Sequence, residues 1–476
     1  MVKFSYAKGD TGARLKELLI KQNKSVNTSE YLIENIPYLK FAIPSRGNPS
    51  GEVEINESKA LRLASSYDMP GVLRLNRLNI PDETDKLYRE YRLLILNLKV
   101  IKVWKRETVS SLEDKSNWTV IKADDEDKAM KTVTKAALAA VQCLGLDFAL
   151  AYVALSKPRK ALIRKIDPSP ALTAKTLKPL VTFLINSPYS SKNKDLTLGA
   201  DPEFVLINEE TGKMIPASQF LPRFGTVGCD SVRIPNRQTR PIGEVRPEPS
   251  TSPIILADNI RKTMLQALKL LPYSNLKWMA GSQPENYPIG GHIHFSNIEV
   301  SSKLIRALDN YLAIPVMLME NSDTSVLRRA KYGHLSDFRT KDYGGFEYRT
   351  VGSWLVTPEI TRGVLCLAKI IAKNYVTLNR NYFLNRQSQS AFYRGDKYYF
   401  REVFEQIWDS ISALPDYMEY KEYLEPIKHL CTSMTGWDET ADIRQTWGLP
   451  IPKKKYRAEN RSKKKSSSAR ASVRVR

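Results

Sequence analysis

Four short segments in the second half of this 476-residue chain each set two chemically loaded residues two positions apart: Asp201 and Glu203, Glu244 and Arg246, His292 and His294, Glu347 and Arg349. Alternate residues of a β-strand project to the same face, so if these segments are strands, each pair stands together on one side of a sheet. Carboxylates and imidazoles suit divalent cations, and the planar guanidinium fork suits phosphate oxygens. Together they supply what metal-assisted phosphoryl chemistry requires.

Each pair also has a plainer explanation. Asp201-Pro202-Glu203 follows LTLGA and precedes FVLI, so two acids interrupt an otherwise buried strand, and burying them costs several kcal/mol unless cations or hydrogen bonds compensate. The proline between them predicts a strand end or a sheet edge. In GGHIHF the two glycines allow close backbone approach, with His292 and His294 on one face and Ile293 and Phe295 on the other. Packing would explain a lone histidine, but the chain has four histidines and two sit here. GEVRPEP and GGFEYRT share Glu-x-Arg after glycine; an inter-strand ion pair would account for one of them, and the repetition beside the acid and imidazole pairs favours a site.

The elements that must carry these residues can be read from the surrounding pattern. Residues 1–190 mix strand-like runs, such as YRLLILNLKVIKVWKR at 91–106, with a helical period over 126–146. The polar stretch 186–195 reads as a linker. From about 196 to 356, the segments LTLGADPEFVLI, PIGEVRPEP, GGHIHFS and GGFEYRTVGSW alternate with helical candidates at 252–271 and 301–320, the pattern of an α+β domain. Residues 357–452 are expected to be a mainly helical extension packed on it, opening at Thr357 and Pro358.

Length and composition bound the rest. A chain of this size exceeds one core and predicts two or three domains, and 42% hydrophobic with 26% charged residues excludes wholesale disorder. The N-terminus lacks a signal-peptide run and no stretch approaches a membrane span, which predicts a cytoplasmic protein with no membrane partner. Cys143, Cys229, Cys366 and Cys431 are too dispersed for a CxxC site and are expected to be reduced core residues. Of the net charge of +22, residues 453–476 hold +10, eleven Lys or Arg against one Glu. This segment predicts a disordered basic tail, either solubilising or in nonspecific contact with a polyanion.

LGADPEFVL, GEVRPEPS, GGHIHFS and RRAKYGHLSDFRTKDYGGFEYRTVGSWL, in that order, resemble the phage-encoded type 2 carboxylate-amine ligases, amidoligases with a glutamine synthetase-like antiparallel-sheet catalytic domain. The resemblance spans about 196–356 within an expected catalytic domain at 191–356. It implies ATP-dependent joining of a carboxylate substrate to an amine substrate, with a peptide or protein among the candidate substrates and ATP and Mg2+ or Mn2+ as cofactors. It implies metal ligation by Asp201, Glu203, Glu244, His292, His294 and Glu347. Arg246, Arg339 and Arg349 would be catalytic and would steady the nucleotide phosphates, with Arg328 or Arg329 beside them. Asp230 or Glu248 would take the proton of the attacking amine.

A second resemblance lies in the first block. KLYREYRLLILNLKVIKVWKRE, AALAAVQCLGLDFALAYVAL and ALIRKIDPSPALT look like the C-terminal half of an ATP-grasp domain, but an acidic ligand is missing near Tyr152, Lys165 and Asp167 replace the metal pair, and no glycine-rich loop fits between Met69 and Glu90. Residues 1–190 are therefore expected to form a shortened, inactive ATP-grasp-like α+β domain. Two other functions share some of these features: a metal-dependent hydrolase using the His and carboxylate cluster, and a noncatalytic nucleic-acid- or virion-associated protein using the positive charge.

Overall fold

The computed structural model describes residues 1–23, 25–44, 52–107, 118–122, 127–156, 160–186, 189, 195–230, 240–342 and 344–457. Most of the expected linker at 186–195, and the basic segment after 457, lie outside them. The described residues are α+β and contain three sheets.

The first sheet holds β1 (Val2–Ala7), β2 (Asn27–Ile33), β3 (Ile36–Ile43) and β4 (Val53–Ile55) in the order β2-β3-β1-β4, with α1 (Asp10–Gln22) after β1. Two short helices, α2 (Ser58–Ser65) and α3 (Met69–Leu75), lead to the second sheet. The strand-like run at 91–106 is in fact a hairpin of β5 (Leu87–Leu96) and β6 (Lys99–Glu107), because Asn97 and Leu98 both take positive φ and turn the chain. With β7 (Thr119–Ile121), β8 (Phe148–Ser156) and β9 (Lys160–Asp167) it gives the antiparallel order β7-β6-β5-β8-β9. Between β7 and β8 runs α4 (Lys128–Cys143), capped by the Asp127 side chain. Val133, Ala137, Ala140 and Val141 of α4 share a core with Leu93, Ile95, Ala151 and Val153 on one face of this sheet. Helix α5 (Ala174–Ile185) then packs on α1.

The third sheet contains β10 (Thr197–Asn208), β11 (Lys213–Ile215), β12 (Val227–Asp230), β13 (Ile242–Val245), β14 (Leu276–Met279), β15 (Gly291–Ser296), β16 (Phe338–Thr340) and β17 (Phe346–Tyr348). Its main path is β12-β13-β10-β15-β17-β16, all antiparallel, with β11 and β14 pairing the far end of β10. Pro202 therefore lies inside a central strand, not at the edge or end its chemistry suggested. It stands where the β15 ladder ends, at Pro202 opposite Gly291, and the β13 ladder begins, at Glu203 opposite Glu244. A missing N–H is tolerated at such a junction.

One face of this sheet is apolar. Leu198, Ala200, Phe204, Ile293, Phe295, Phe346 and Tyr348 are buried, and the stacked pairs Phe204–Trp278 and Phe295–Phe346 each have centroids 4.9 Å apart. Covering helices include α6 (Pro253–Leu270), α7 (Ser302–Leu308) and α8 (Ile314–Met319), and α9 (Ser322–Arg329) follows. The helical candidate at 301–320 is one continuous rod, α7 to α8, interrupted by a π-turn at Asp309–Ala313. Thr357 caps α10 (Pro358–Asn374) as its sequence predicts, its hydroxyl accepting from Ile360 N. Helices α11 (Arg386–Tyr393), α12 (Arg401–Ser412), α13 (Tyr417–Ser433) and α14 (Ile443–Thr446) are the last among the described residues. Residues 453–457 do not hang free: Lys454 O accepts from Ser274 N at 2.7 Å, and Tyr456 OH donates to Gln219 at 2.9 Å. The cysteines carry no disulfide, and no described helix is long and apolar enough to cross a membrane.

The first sheet and the third share a core, since Phe4, Tyr6 and Phe148 belong to the same buried cluster as Leu198, Phe295 and Trp354. A polar knot joins the same parts. Asp147, buried just before β8, accepts from Arg306 Nη2 at 2.6 Å, from Tyr189 OH at 3.0 Å, from Asn56 N at 3.1 Å and from the Ser302 hydroxyl. Burial alone would raise the Asp147 carboxyl pKa; the Arg306 charge and these donors hold it low. Removing one member of a buried ion pair strands the other, so Asp147→Ala is expected to lower unfolding free energy by about 3–5 kcal/mol in a denaturant titration.

A candidate metal and phosphate site on one sheet face

Opposite the apolar face, register brings the loaded pairs into one array. Glu203 faces Glu244, Asp201 faces His292, and His294 faces Glu347, which in turn faces Arg339. Arg246 and Arg349 follow directly on β13 and β17, on the same side as their glutamates. The two-residue spacing thus does what strand geometry requires, and four segments far apart in the chain meet.

Small residues make room for large ones. A Cβ on Gly290 would lie 2.4 Å from His292 Nε2, and one on Gly228 would lie 2.1 Å from Arg246 Nη1. Neither position admits a side chain without displacing its neighbour.

His292 Nδ1 lies 3.2 Å from Asp201 Oδ1 and 3.4 Å from Glu347 Oε1, and His294 Nε2 lies 3.2 Å from Asp201 Oδ2. Glu347, 1% exposed, pairs with Arg349 and Lys341, with Arg339 Nη1 at 4.0 Å. Glu244 pairs with Arg246, which also donates to Gly225 O at 3.0 Å. Glu203 accepts from Gly290 N at 2.6 Å.

These contacts set the protonation states. Burial would raise Asp201, but the charges and hydrogen bonds of His292 and His294 hold it well below the usual carboxylate range. Burial also opposes the Glu347 carboxylate, and the His292 charge and the Lys341 and Arg349 partners keep it low. His292, which burial would discharge, is raised by Asp201. Glu244 goes the other way, pushed up to about 8 by burial and by the Asp201 charge. Burial likewise raises Glu203.

A cavity of ≈ 200 Å³ opens over the array, lined by Asp201, Glu244, His292, Glu347, Arg246, Arg339 and Arg349. Asp230, exposed at the end of β12, also lines it, whereas Glu248 does not. Three further residues reach it that sequence reasoning did not single out: Lys341, Arg223 and Phe224. Lys341 stands two positions after Arg339, so the same spacing would have found it. Arg223 and the 73%-exposed Phe224 lie on a connecting loop with no periodic signal.

Arg328 is a correction to the expected phosphate-binding set. Its guanidinium, 2% exposed, donates to the carbonyls of Ile289 at 2.7 Å, Thr350 at 2.8 Å and Val351 at 2.8 Å, so its donors are committed to fixing the backbone beside β15 and β17. Arg329 is likewise buried, paired with Glu320 away from the cavity.

The residues fit a divalent cation. Asp201, His292 and Glu347 each offer a ligand atom, all within 4.8 Å of one another. Two carboxylates and an imidazole are ligands that a divalent cation accepts, and the surrounding guanidinium groups match phosphate.

Behind the array, Asp309 of the π-turn accepts from Tyr348 OH at 2.8 Å and from the Ser336 hydroxyl and amide at 2.6 and 3.0 Å. Tyr348 sits between Glu347 and Arg349, and Ser336 precedes β16, so one carboxylate grips both sides of the hairpin that carries Arg339, Lys341, Glu347 and Arg349.

The antiparallel sheet thus sets metal-type acids and imidazoles beside phosphate-type cations on one face. The chain belongs to the phage phiEco32-like COOH.NH2 ligase-type 2 family, whose model matches residues 198–449. Curated proteins yield no match. Among solved structures, the chain is similar to the ATP-grasp ligase PsnB complexed with minimal precursor (14% identity, 28% of this chain, 64% of that chain, TM-score 0.23). It is also similar to the macrocyclase MdnC bound with precursor peptide MdnA from Microcystis aeruginosa MRC (9% identity, 39% of this chain, 99% of that chain, TM-score 0.27). The chain spans 64% of the PsnB chain's length.

Two outcomes test the site. Asp201→Asn is expected to weaken Mn2+ binding about ten-fold or more in calorimetric titration, while Arg328→Lys leaves that affinity unchanged and lowers the melting temperature. Burial raises Asp309 from 3.8 to about 6 despite its three donors. The folded state then holds the proton more tightly than the unfolded chain, so this group's stabilisation is full below about pH 4 and is lost as pH rises through about 6. Asp309→Asn should flatten that segment of the stability-pH curve.

Proposed function

We propose that this chain is an ATP-dependent carboxylate-amine ligase working through an acyl phosphate on the third sheet, which we read as glutamine synthetase-like. The observation that carries the reading is the convergence of Asp201, His292 and Glu347 with Arg246, Arg339, Lys341 and Arg349 over one cavity, in a chain of this family.

A carboxylate is a poor electrophile until it is phosphorylated. Its oxygen would attack the γ-phosphorus of ATP, the bond to the bridging oxygen would break, and ADP would leave. The amine nitrogen would then attack the acyl carbon and expel phosphate, losing a proton as the amide forms. Magnesium or manganese, held by Asp201, His292 and Glu347 with Glu203, Glu244 and His294 beside them, would neutralise phosphate charge.

The chain's own residues do the positioning. Arg339, Lys341 and Arg349 surround Glu347, and Arg246 stands across the cavity beside Glu244, so cations meet the transferring group from two sides. Fixed charges of this kind act without reorganising at the moment of reaction. Asp230, at the cavity and at a strand end, is better placed than Glu248 to take the amine proton. We read the first block as carrying no nucleotide: where acidic ligands would be needed it has Tyr152, and Lys165 bonded to Asp167 at 3.1 Å.

Magnesium-dependent ADP release, screened against pools of carboxylates and amines, tests the proposal. Release is expected to require one member of each pool and to be lost in Glu347→Ala and His292→Ala. Product formation without ATP would favour a hydrolase instead, and a folded chain that binds neither metal nor nucleotide would overturn both readings.

A further inference from the structure

The second sheet buries one face and, among the described residues, leaves part of the other half-exposed. Cross-strand register puts Glu90, Arg92 and Leu94 of β5 on that second face with Arg106, Trp104 and Lys102 of β6, Tyr152 of β8 and Lys165 of β9. Its lower end closes against the first sheet, where Phe148 meets Phe4 and Tyr6. At the upper end Arg92, Lys102, Trp104, Arg106 and Tyr152 are half-buried and Lys165 is exposed, a surface dense in cations and aromatic rings.

The charges there do not cancel. Arg106 and Arg164 both pair with buried Glu90, and Lys165 pairs with Asp167. Arg92 and Lys102 have no carboxylate partner among the described residues, and Arg92 Nε is buried without a hydrogen bond. Among the described residues, five cations therefore face two acids.

The aromatic rings decide which anion fits. Arg92 lies 3.9 Å over Trp118 and 5.3 Å over Tyr152, Arg106 lies 5.0 Å over Trp118, and Lys102 lies 4.9 Å over Trp104. Side-chain cations already occupy these π-faces, so a nucleobase would have to displace them to stack. What stays without a carboxylate among the described residues is the Arg92 guanidinium, a planar fork shaped for one, beside the Lys102 ammonium. Glu90, held by two arginines, shows that this face can already do it.

We propose that this open face docks an acidic peptide, the carboxylate-bearing substrate of the third-sheet site. The docking stands on charge and geometry alone; its assignment to the substrate rests on the ligase reading. Here the departures from an ATP-grasp pattern become consistent with one another: the substitutions that remove acidic metal ligands leave a surface that attracts carboxylates.

Fluorescence anisotropy on the full chain at low salt, without ATP, tests docking separately from ligation. The probes are fluorescein-labelled octaglutamate, octaglutamine and octathymidylate. Octaglutamate is expected to bind and octaglutamine not to. The Arg92→Gln/Lys102→Gln chain should bind octaglutamate about ten-fold more weakly, as befits two lost charge-assisted contacts, with an unchanged melting temperature. Binding that survives at the same strength in that variant, tighter binding of octathymidylate than of octaglutamate, or no octaglutamate binding would each overturn the proposal. If the double variant melts early, Trp104→Leu and Lys102→Gln tested singly provide the same comparison.

Discussion

Buried negative charge is the constraint around which this molecule is arranged. Asp201, Glu203, Glu244 and Glu347 share one sheet face, and each is at most slightly exposed. Carboxylates so close repel one another and lose their water, a cost of several kcal/mol per ion unless it is offset. The surroundings answer that cost in two ways. On the β15 and β17 side, His292, Lys341 and Arg349 keep Asp201 and Glu347 ionised. On the β13 side, Glu244 has one arginine and takes a proton more readily. The sheet face is thus electrically uneven before any ligand arrives, with its strongest permanent anions beside its densest cations.

Holding such an array together demands rigidity from behind. The apolar face supplies stacked aromatic pairs, and buried polar groups supply direction: Arg328 ties four backbone carbonyls, and Asp309 ties Tyr348 to Ser336. The π-turn that presents Asp309 is a local departure from helical geometry inside an otherwise regular rod. Its effect is to aim a carboxylate at the back of the hairpin whose front carries four of the site's charges.

How much of this could be read from the sequence follows from the range of each signal. Strand alternation is local and has a period of two, so the pairs at 201, 244, 292 and 347 could be placed on common faces before any fold was known, and Lys341 follows the same rule. Cross-strand partnership is not local. Nothing in RRAKYGH distinguishes an arginine that meets phosphate from one that saturates carbonyls; that depends on Ile289, Thr350 and Val351, which the fold alone brings near. Pro202 misled for a related reason, since its usual avoidance of central strands assumes an unbroken ladder on both sides and β10 changes partners there. The hairpin within 91–106 was hidden because Asn97-Leu98 lacks the glycine that usually marks such a turn.

The core that runs from Phe4 and Phe148 into Leu198 and Trp354, with Asp147 and Arg306 knotted beside it, has a consequence for ancestry. A segment that can be exchanged as a cassette needs a seam with few contacts crossing it. Here the start of the family match at residue 198 falls inside continuous packing. A substitution in that shared core, or at the Asp147–Arg306 pair, must therefore be accommodated on both sides of residue 198, so the segments before and after it are constrained to change together.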